Sequence, residues 1–141
     1  MQPQKGSEMT IKPVIILANT LPTGLKTNFA AVLGMTLARL HPELVGDATP
    51  TADGVALAGI TTVALPVLGA PEEELLALFL AAEVLPIRAA YMRAAFEARN
   101  YDDYTSRIVT SPLAGHVPLA ILLAGPRKAV DRMCGSLPLL R

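Results

Sequence analysis

The clearest hydrophobic pattern lies in the first third of the chain. Residues 13–18 form a short apolar run with the β-branched content of a buried strand. After a polar turn, apolar residues recur at helical spacing from Leu25 to Leu40. Pro42 ends this pattern, because proline lacks an N–H and disfavours helical backbone at His41. The sequence therefore predicts a strand, a turn and an amphipathic helix in that order.

Three more strands are predicted further along the chain. A second buried strand is expected at residues 60–65, where it either ends at Pro66 or continues past it as an edge strand. A third begins at residues 85–87 and runs toward Tyr91, and the last covers residues 117–124. The stretch between the first helix and the second strand carries glycines and prolines without periodicity, which predicts a long connection.

Helices alternate with these strands. Pro71 and three glutamates open a nearly all-apolar helix that runs to Val84, since proline and acidic residues favour a helix start. Residues 92–109 have a charged helical pattern with a break at Asn100, and a last helix covers residues 127–134. Because parallel neighbours need long crossovers, the alternation predicts an α/β three-layer sandwich with a mixed, mostly parallel four-stranded sheet.

Length and composition refine this picture. The chain has 141 residues, of which residues 1–10 lack periodicity and are expected to form a flexible tail, with a single α/β domain at residues 11–141. Hydrophobic residues make up 52% of the sequence and the mean hydropathy is +0.44. This excess favours a partner surface, most economically a symmetric homodimer.

The membrane question follows from the high hydropathy. Residues 54–71 and 108–126 are free of formal charge and close to spanning length, but both contain internal proline and glycine. The N-terminus shows no secretory signal. We therefore expect no membrane partner and a cytoplasmic location.

Charge and cysteine content limit the classes of partner and cofactor. Twelve basic and 12 acidic residues give zero formal charge, which disfavours extended nucleic-acid binding and leaves RNA a less favoured partner. Cys134 is the only cysteine, so neither an intrachain disulfide nor a cysteine metal cluster can form within one chain. The sequence has no phosphate-binding loop, nucleophile elbow or paired-carboxylate motif, so neither a metal nor a cofactor is expected.

The first candidate site is the turn between the first strand and the first helix. A helix start offers free N–H groups and the positive end of the helix dipole, both suited to an anion or polar group. The polar residues there are Asn19, Thr20, Lys26, Thr27 and Asn28. The alternative is structural, with the amide or hydroxyl tying the turn to the helix and the lysine solvated.

The second candidate is the start of the last helix, at Arg127 and Lys128. Cations at a helix start oppose the dipole, so a bound anion, a carboxylate partner or a subunit contact is expected. Our hypothesis is that the two helix starts converge and leave a polar hollow for a small anionic or polar ligand. An ion pair is the alternative.

Tyr101, Asp102, Asp103 and Tyr104 form a third polar cluster. We interpret it as an acidic helix start with its aromatic rings packed inward. The alternative is that these residues form the rim of a pocket.

Several motifs resemble those of the family named domain of unknown function two thousand, DUF2000. They are residues 21–25, 28–34, 59–63, 66–68, 100–104 and 125–140. They occur in family order over nearly the whole chain. This family is similar in fold to type II peptidyl-tRNA hydrolases, so the resemblance implies a mixed four-stranded sheet between helices.

The resemblance to those hydrolases is uneven. The C-terminal motif of those hydrolases is matched here by Gly125, Pro126, Val130, Asp131, Gly135 and Leu137. Where Ala30-Ala31 is matched to their paired alanines, the lysine position is Asn28 and the glutamine position is Val32. The resemblance therefore implies the fold without this lysine and glutamine, and leaves enzymatic activity uncertain.

Three functions follow from these observations. The first is an uncharacterised ligand-binding protein that holds a small anionic or polar molecule at the first strand–helix turn. The second is a hydrolase of an ester or amide related to peptidyl-tRNA. The third is a homo-oligomeric interaction protein with its contact on the apolar second helix.

Overall fold

The computed structural model describes residues 10–140, so the predicted tail lies outside the described residues except for Thr10. The strands are β1 (Lys12–Ala18), β2 (Thr49–Pro50), β3 (Ala56–Leu57), β4 (Val67–Ala70), β5 (Ile87–Met92) and β6 (Pro118–Gly125). The α-helices are α1 (Thr23–Leu40), α2 (Glu72–Ala81), α3 (Arg93–Glu97), α4 (Tyr101–Val109) and α5 (Arg127–Cys134). Short 3₁₀ turns cover Pro42–Leu44, Ala82–Val84 and Leu113–Gly115.

The main sheet has the strand order β4-β1-β6-β5. β1 runs parallel to β4 and antiparallel to β6, and β6 runs antiparallel to β5. The α/β class with a mixed four-stranded sheet is therefore confirmed, but the expectation of mostly parallel pairing is wrong. β6 runs opposite to the other three strands and lies between β1 and β5, so only the β1–β4 pair is parallel. A two-stranded sheet of β2 and β3 lies within the long connection.

The two faces of the main sheet carry separate helix layers. Ile15, Leu17 and Leu122 point to one face, where α1 packs with its buried stripe of Phe29, Leu33 and Leu37. Val14, Ile16 and Ile121 point to the other face, where α2 and α5 contribute Leu75, Val130 and Cys134. Alternation of side chains along a strand explains why β1 and β6 are apolar at nearly every position.

The predicted helices are confirmed, except that the second ends at Ala81 and a 3₁₀ turn covers Ala82–Val84. α1 ends at Leu40, directly before the His41-Pro42 stop, and α5 ends at Cys134 beside Gly135. The expected break at Asn100 separates α3 from α4, where the Asn100 side chain accepts a hydrogen bond from the Asp103 N–H at 2.8 Å. None of the helices within residues 10–140 is long and apolar enough to cross a membrane.

The buried strand predicted at residues 60–65 is wrong, but the alternative of an edge strand past Pro66 is found, since β4 (Val67–Ala70) lies at the sheet edge. Ile60 is 81% exposed. Its carbonyl accepts from the Gly46 N–H at 2.9 Å, and the Thr62 N–H donates to the Leu44 carbonyl at 2.8 Å. The β-branched residues therefore do form a β-type pairing, but with the neighbouring loop segment instead of the main sheet.

Candidate functional site

The first strand–helix turn is open to solvent. Asn19, Thr20, Thr27 and Asn28 are exposed and Lys26 is half-buried. The Thr27 hydroxyl donates to the Thr23 and Gly24 carbonyls of its own helix, at 3.1 and 3.0 Å. None of these five residues lines the groove described below.

The start of α5 lies far from this turn. β1 and β6 are antiparallel, and Lys12 pairs with Gly125, so α5 begins at the end of the sheet where β1 starts. α1 begins at the opposite end, after Ala18, and packs on the opposite face. The predicted hollow between Asn28 and Arg127 is therefore wrong, because the two helix starts lie at opposite ends and on opposite faces of the sheet.

Arg127 and Lys128 are both exposed. Neither forms an ion pair with another residue in the range 10–140. The expected carboxylate partner is therefore not among the residues that the structure describes. A ligand role for these two cations and for the first turn stays a prediction for each position separately.

A groove of about 410 Å³ lies on the α1 side of the sheet. It runs between α1 and the α3–α4 turn, with β5 at its base. Its lining residues are Val32, Leu33, Thr36, Ala90, Tyr91, Ala95, Ala98, Arg99, Asn100, Tyr101 and Tyr104. These residues come from three separate parts of the chain that the sheet brings together. We call this surface the tyrosine groove.

Aromatic packing fixes the base of the tyrosine groove. The rings of Phe29 and Tyr91 stack with centroids 4.0 Å apart and planes at 20°. Phe96 meets Phe29 edge-on, at 6.0 Å and 74°. These contacts hold α1, β5 and α3 together, which stabilises the shape of the groove. Burial raises the pKa of Tyr91, so its hydroxyl keeps its proton at neutral pH.

Two further tyrosines form one wall. The rings of Tyr101 and Tyr104 lie 5.4 Å apart and tilted by 55°. Tyr101 is 75% exposed, so the interpretation that both rings pack inward is wrong, and the pocket-rim alternative describes their position. Burial, with a smaller contribution from Tyr101, raises the pKa of Tyr104. Tyr104 is therefore an uncharged donor and acceptor at neutral pH.

Asp103 holds the turn that carries these tyrosines. Its carboxylate accepts from the Arg99 backbone N–H at 3.0 Å and from the Arg107 Nε at 3.2 Å. The hydrogen bond from the Arg99 backbone, followed by the bond and charge of Arg107, outweighs desolvation and lowers the pKa of Asp103. The Asn100 side chain caps the same helix by accepting from the Asp103 N–H. Hydrogen bonds in both directions between residues 99–100 and Asp103 therefore fix the start of α4.

Arg99 supplies positive charge at the groove. Its side chain is 86% exposed, and its Nε lies 3.6 Å from the Asp103 carboxylate. This exposed contact leaves most of the guanidinium donors in solvent. The tyrosine groove thus combines an apolar base, two phenol rings on one wall and one accessible guanidinium.

Metal-binding groups are not clustered in the described chain. Within residues 10–140, no group of three or more histidine, cysteine, aspartate and glutamate side chains could hold a metal ion. His41 contacts Glu43 at 2.8 Å, and the His116 Nε2 lies 2.9 Å from the Ile108 carbonyl oxygen. Both histidines therefore have local partners.

These features define a small three-layer α/β protein with a mixed sheet and a groove on one flank. Residues 11–141 match the family described as protein of unknown function, DUF2000. The chain belongs to this family, which confirms the resemblance seen in the sequence.

A solved structure has the same fold. It is a protein of unknown function from Agrobacterium tumefaciens strain C58, and it superposes with a TM-score of 0.82 over 92% of this chain and 96% of that one. The two sequences are 17% identical, so the likeness concerns the fold alone. A comparison with curated protein sequences finds no match.

Proposed function

We propose that this protein binds a small molecule in the tyrosine groove. The ligand class is the one that the sequence favours, a small anionic or polar molecule, with the addition of a flat apolar part. The observation that carries the proposal is the shared lining of one groove by Tyr101, Tyr104 and Arg99 above an apolar base. The position differs from the first strand–helix turn that the sequence favours.

The dimensions and chemistry of the groove support binding. Its volume of about 410 Å³ falls in the usual range for ligand pockets, about 300–1,000 Å³. Tyrosine rings offer flat apolar surface together with a hydroxyl, and an arginine recognises carboxylate or phosphate through several donors. A flat ring against Tyr104 with its carboxylate at Arg99 would use both.

The titration of the lining residues favours binding over hydrolysis. Tyr91 and Tyr104 have raised pKa values, so neither phenol serves as a general base at neutral pH. The Asp103 carboxylate behind the wall has a lowered pKa and is occupied by its two arginine neighbours. Among the described residues, the lining of the groove includes no histidine, aspartate or glutamate.

The proposal is tested with 3-phenylpropanoate, a flat ring with a carboxylate, followed by calorimetry and NMR. We expect Tyr104→Leu and Arg99→Gln each to weaken its binding about tenfold, which corresponds to about 1.4 kcal/mol. Asn28→Ala and Arg127→Gln are matched controls at the two helix starts and are expected to bind as the wild type does. Equal binding by all four variants, or loss only in the controls, would overturn the proposal.

A hydrolase related to the type II peptidyl-tRNA enzymes is the alternative. It is supported by the resemblance of the ending around Gly125 and Asp131, whereas Asn28 stands at the lysine position on an exposed part of α1. A peptidyl-tRNA hydrolysis assay beside an active enzyme decides between the two. Turnover that is lost in Asn28→Ala would favour the hydrolase.

Homo-oligomerisation also stays a proposal. It is supported by exposed apolar residues, among them Leu80 near the end of α2 and Val84 in the 3₁₀ turn that follows. Sedimentation velocity over a wide concentration range tests it. A monomer at every concentration would remove the interaction-protein hypothesis.

A further inference from the structure

The orientation of the peptide groups in the sheet can be followed from β1 outward. The Ile15 N–H donates to the Pro66 carbonyl at 3.0 Å, on the side of β4. Successive residues of a strand direct their N–H and C=O groups to alternate edges. Ile16 therefore faces β6, where its partner is Ile121.

The same alternation reaches the outer edge of the sheet. Because Ile121 faces β1, the next residue Leu122 faces β5, and its partner there is Ala89. Ala89 thus forms its hydrogen bonds inside the sheet. Its neighbours Arg88 and Ala90 direct their N–H and C=O groups away from the sheet, since β5 is an edge strand.

Of these two residues, Ala90 lies at the tyrosine groove. Ala90 and Tyr91 form its base. Among residues 10–140, no backbone hydrogen bond outside the sheet involves Arg88 or Ala90. The Arg88 side chain turns to the opposite face, where its guanidinium donates to the Phe79 carbonyl at 2.8 Å and lies over the Phe79 ring. Within the part of the chain that the structure describes, the groove therefore contains the unpaired backbone groups of Ala90 beside an aromatic wall.

We infer that the natural ligand of the tyrosine groove is an extended peptide segment that adds to β5. This inference rests on the function proposed above, because a side chain and a carboxylate of the peptide take the places proposed there for the flat ring and the anionic group. The peptide's backbone pairs with Ala90 and Arg88, one apolar side chain lies against Tyr101 and Tyr104, and a carboxylate reaches Arg99. Strand addition of this kind derives affinity from backbone bonds and specificity from a side-chain pocket.

The geometry favours a short segment over a second folded copy of the chain. Residues of α1 and of the α3–α4 turn line the groove together with Ala90, and its volume of about 410 Å³ holds only a few residues. The register shift between Tyr91 and Met92 ends the regular edge. The exposed guanidinium of Arg99 adds charge complementarity for an acidic residue or a terminal carboxylate.

The probe is an acetylated pentapeptide, Thr-Val-Phe-Val-Asp, with a free terminal carboxylate. Its amides are N-methylated one at a time, and binding is measured by calorimetry. We expect alternate positions to respond differently: methyl groups on amides that face β5 weaken binding at least about tenfold, while those on outward amides leave it unchanged.

A protein variant tests the backbone hydrogen bond that the Ala90 N–H would donate to the peptide. Ala90→Pro removes an N–H that faces away from the sheet, which edge strands tolerate, and Ala90→Val keeps it. We expect Ala90→Pro to bind the peptide at least about tenfold more weakly than Ala90→Val does. Should Ala90→Pro fail to fold, the N-methyl series still decides.

The outcomes separate this inference from the proposed function. If the protein binds 3-phenylpropanoate but binds all N-methylated peptides with equal affinity, the inference is overturned and the proposed function stays in place. Binding of neither probe would overturn both. A wild-type dimer that Ala90→Pro dissociates would overturn the inference in favour of edge pairing between two copies.

Discussion

The long connection between α1 and β4 depends on two glycines that meet closely. A Cβ atom built on Gly59 would lie 1.7 Å from the Gly46 carbonyl oxygen, where no side chain fits. The Gly46 N–H pairs with the Ile60 carbonyl in the same region. The close approach of these backbones requires glycine, and the loop cannot keep this path with a larger residue.

We therefore predict that Gly59→Ala destabilises the protein by about 1–3 kcal/mol, the usual cost of overpacking. Gly34→Ala is the matched control, because a Cβ there meets no atom within 4 Å inside α1. That control should stabilise the protein by up to about 1 kcal/mol, since alanine favours a helix over glycine. Urea unfolding of both variants measures the difference, and equal effects would contradict the close approach.

The carboxylate contacts of Asp103 lead to a second prediction, which concerns the pH dependence of stability. Its pKa is lowered in the folded state, so its stabilising contribution is present above the unfolded pKa of about 4 and is lost as pH falls through the folded pKa. We predict that Asp103→Asn lowers the melting temperature at pH 7, and that the gap to the wild type shrinks below about pH 4.

Thermal unfolding between pH 2.5 and 7 checks this pH dependence. Asp102→Asn is the control, because it removes a negative charge from the same helical turn without touching Arg99 or Arg107. A constant gap between wild type and Asp103→Asn at all pH values would contradict the assignment of the carboxylate contacts.

At the scale of elements, the two edges of the main sheet are finished differently. The edge of β4 is covered by the C-terminal segment, where the Gly69 N–H donates to the Pro138 carbonyl at 3.0 Å and the Leu140 N–H donates to the Val67 carbonyl at 2.9 Å. At the edge of β5, no backbone hydrogen bond outside the sheet involves Ala90 among residues 10–140. Within the described residues, the chain itself therefore covers the β4 edge and leaves the β5 edge at Ala90 without a backbone partner.

Removal of residues 138–141 should expose the β4 edge. Two backbone hydrogen bonds are lost, each contributing about 0.5–1.5 kcal/mol, and open edges promote association. We predict a loss of about 1–3 kcal/mol in the free energy of unfolding and concentration-dependent association by light scattering. Leu139→Ala keeps the backbone bonds and is expected to remain close to wild type. A truncated protein as stable and as monodisperse as the wild type would contradict this role.

The helices were predictable because their signals are local. The apolar stripe of α1, the Asn100 cap and the glycine after α5 each lie within a few residues of the feature they determine. The strand at Val67–Ala70 is short, and Gly69 and Ala70 give it little β-branched character. Residues 60–65 are richer in β-branched side chains, so the sequence pattern placed the strand there instead. Pairing partners far along the chain decided which segment entered the sheet.

The candidate site was less predictable, because it depends on strand direction. The predicted convergence of Asn28 and Arg127 required β1 and β6 to run the same way, and they are antiparallel. The tyrosine groove combines α1, β5 and α4, which lie far apart in sequence. Its one sequence signal was the spacing of Tyr101 and Tyr104, which places both rings on one face of a helix.

At the scale of the whole molecule, the sheet joins both helix layers. β1 and β6 contribute alternate side chains to the core under α1 and to the core under α2 and α5. Neither layer can lose its packing without exposing the shared strands. Residues 11–141 should therefore unfold as one unit.

We predict a single cooperative transition in which far-UV circular dichroism and tyrosine fluorescence change together. The chain has three tyrosines and no tryptophan, and all three tyrosines line the groove, so fluorescence reports on that flank. Two separated transitions would show that the α1 layer and the α2–α5 layer unfold independently.

Binding in the tyrosine groove is best tested by chemical-shift mapping of the ¹⁵N-labelled protein with 3-phenylpropanoate. We predict saturable shifts at Ala90, Tyr91, Tyr101 and Tyr104, with residues 23–28 and 127–128 unchanged. Shifts confined to those two helix starts, or no saturable shifts at all, would contradict it.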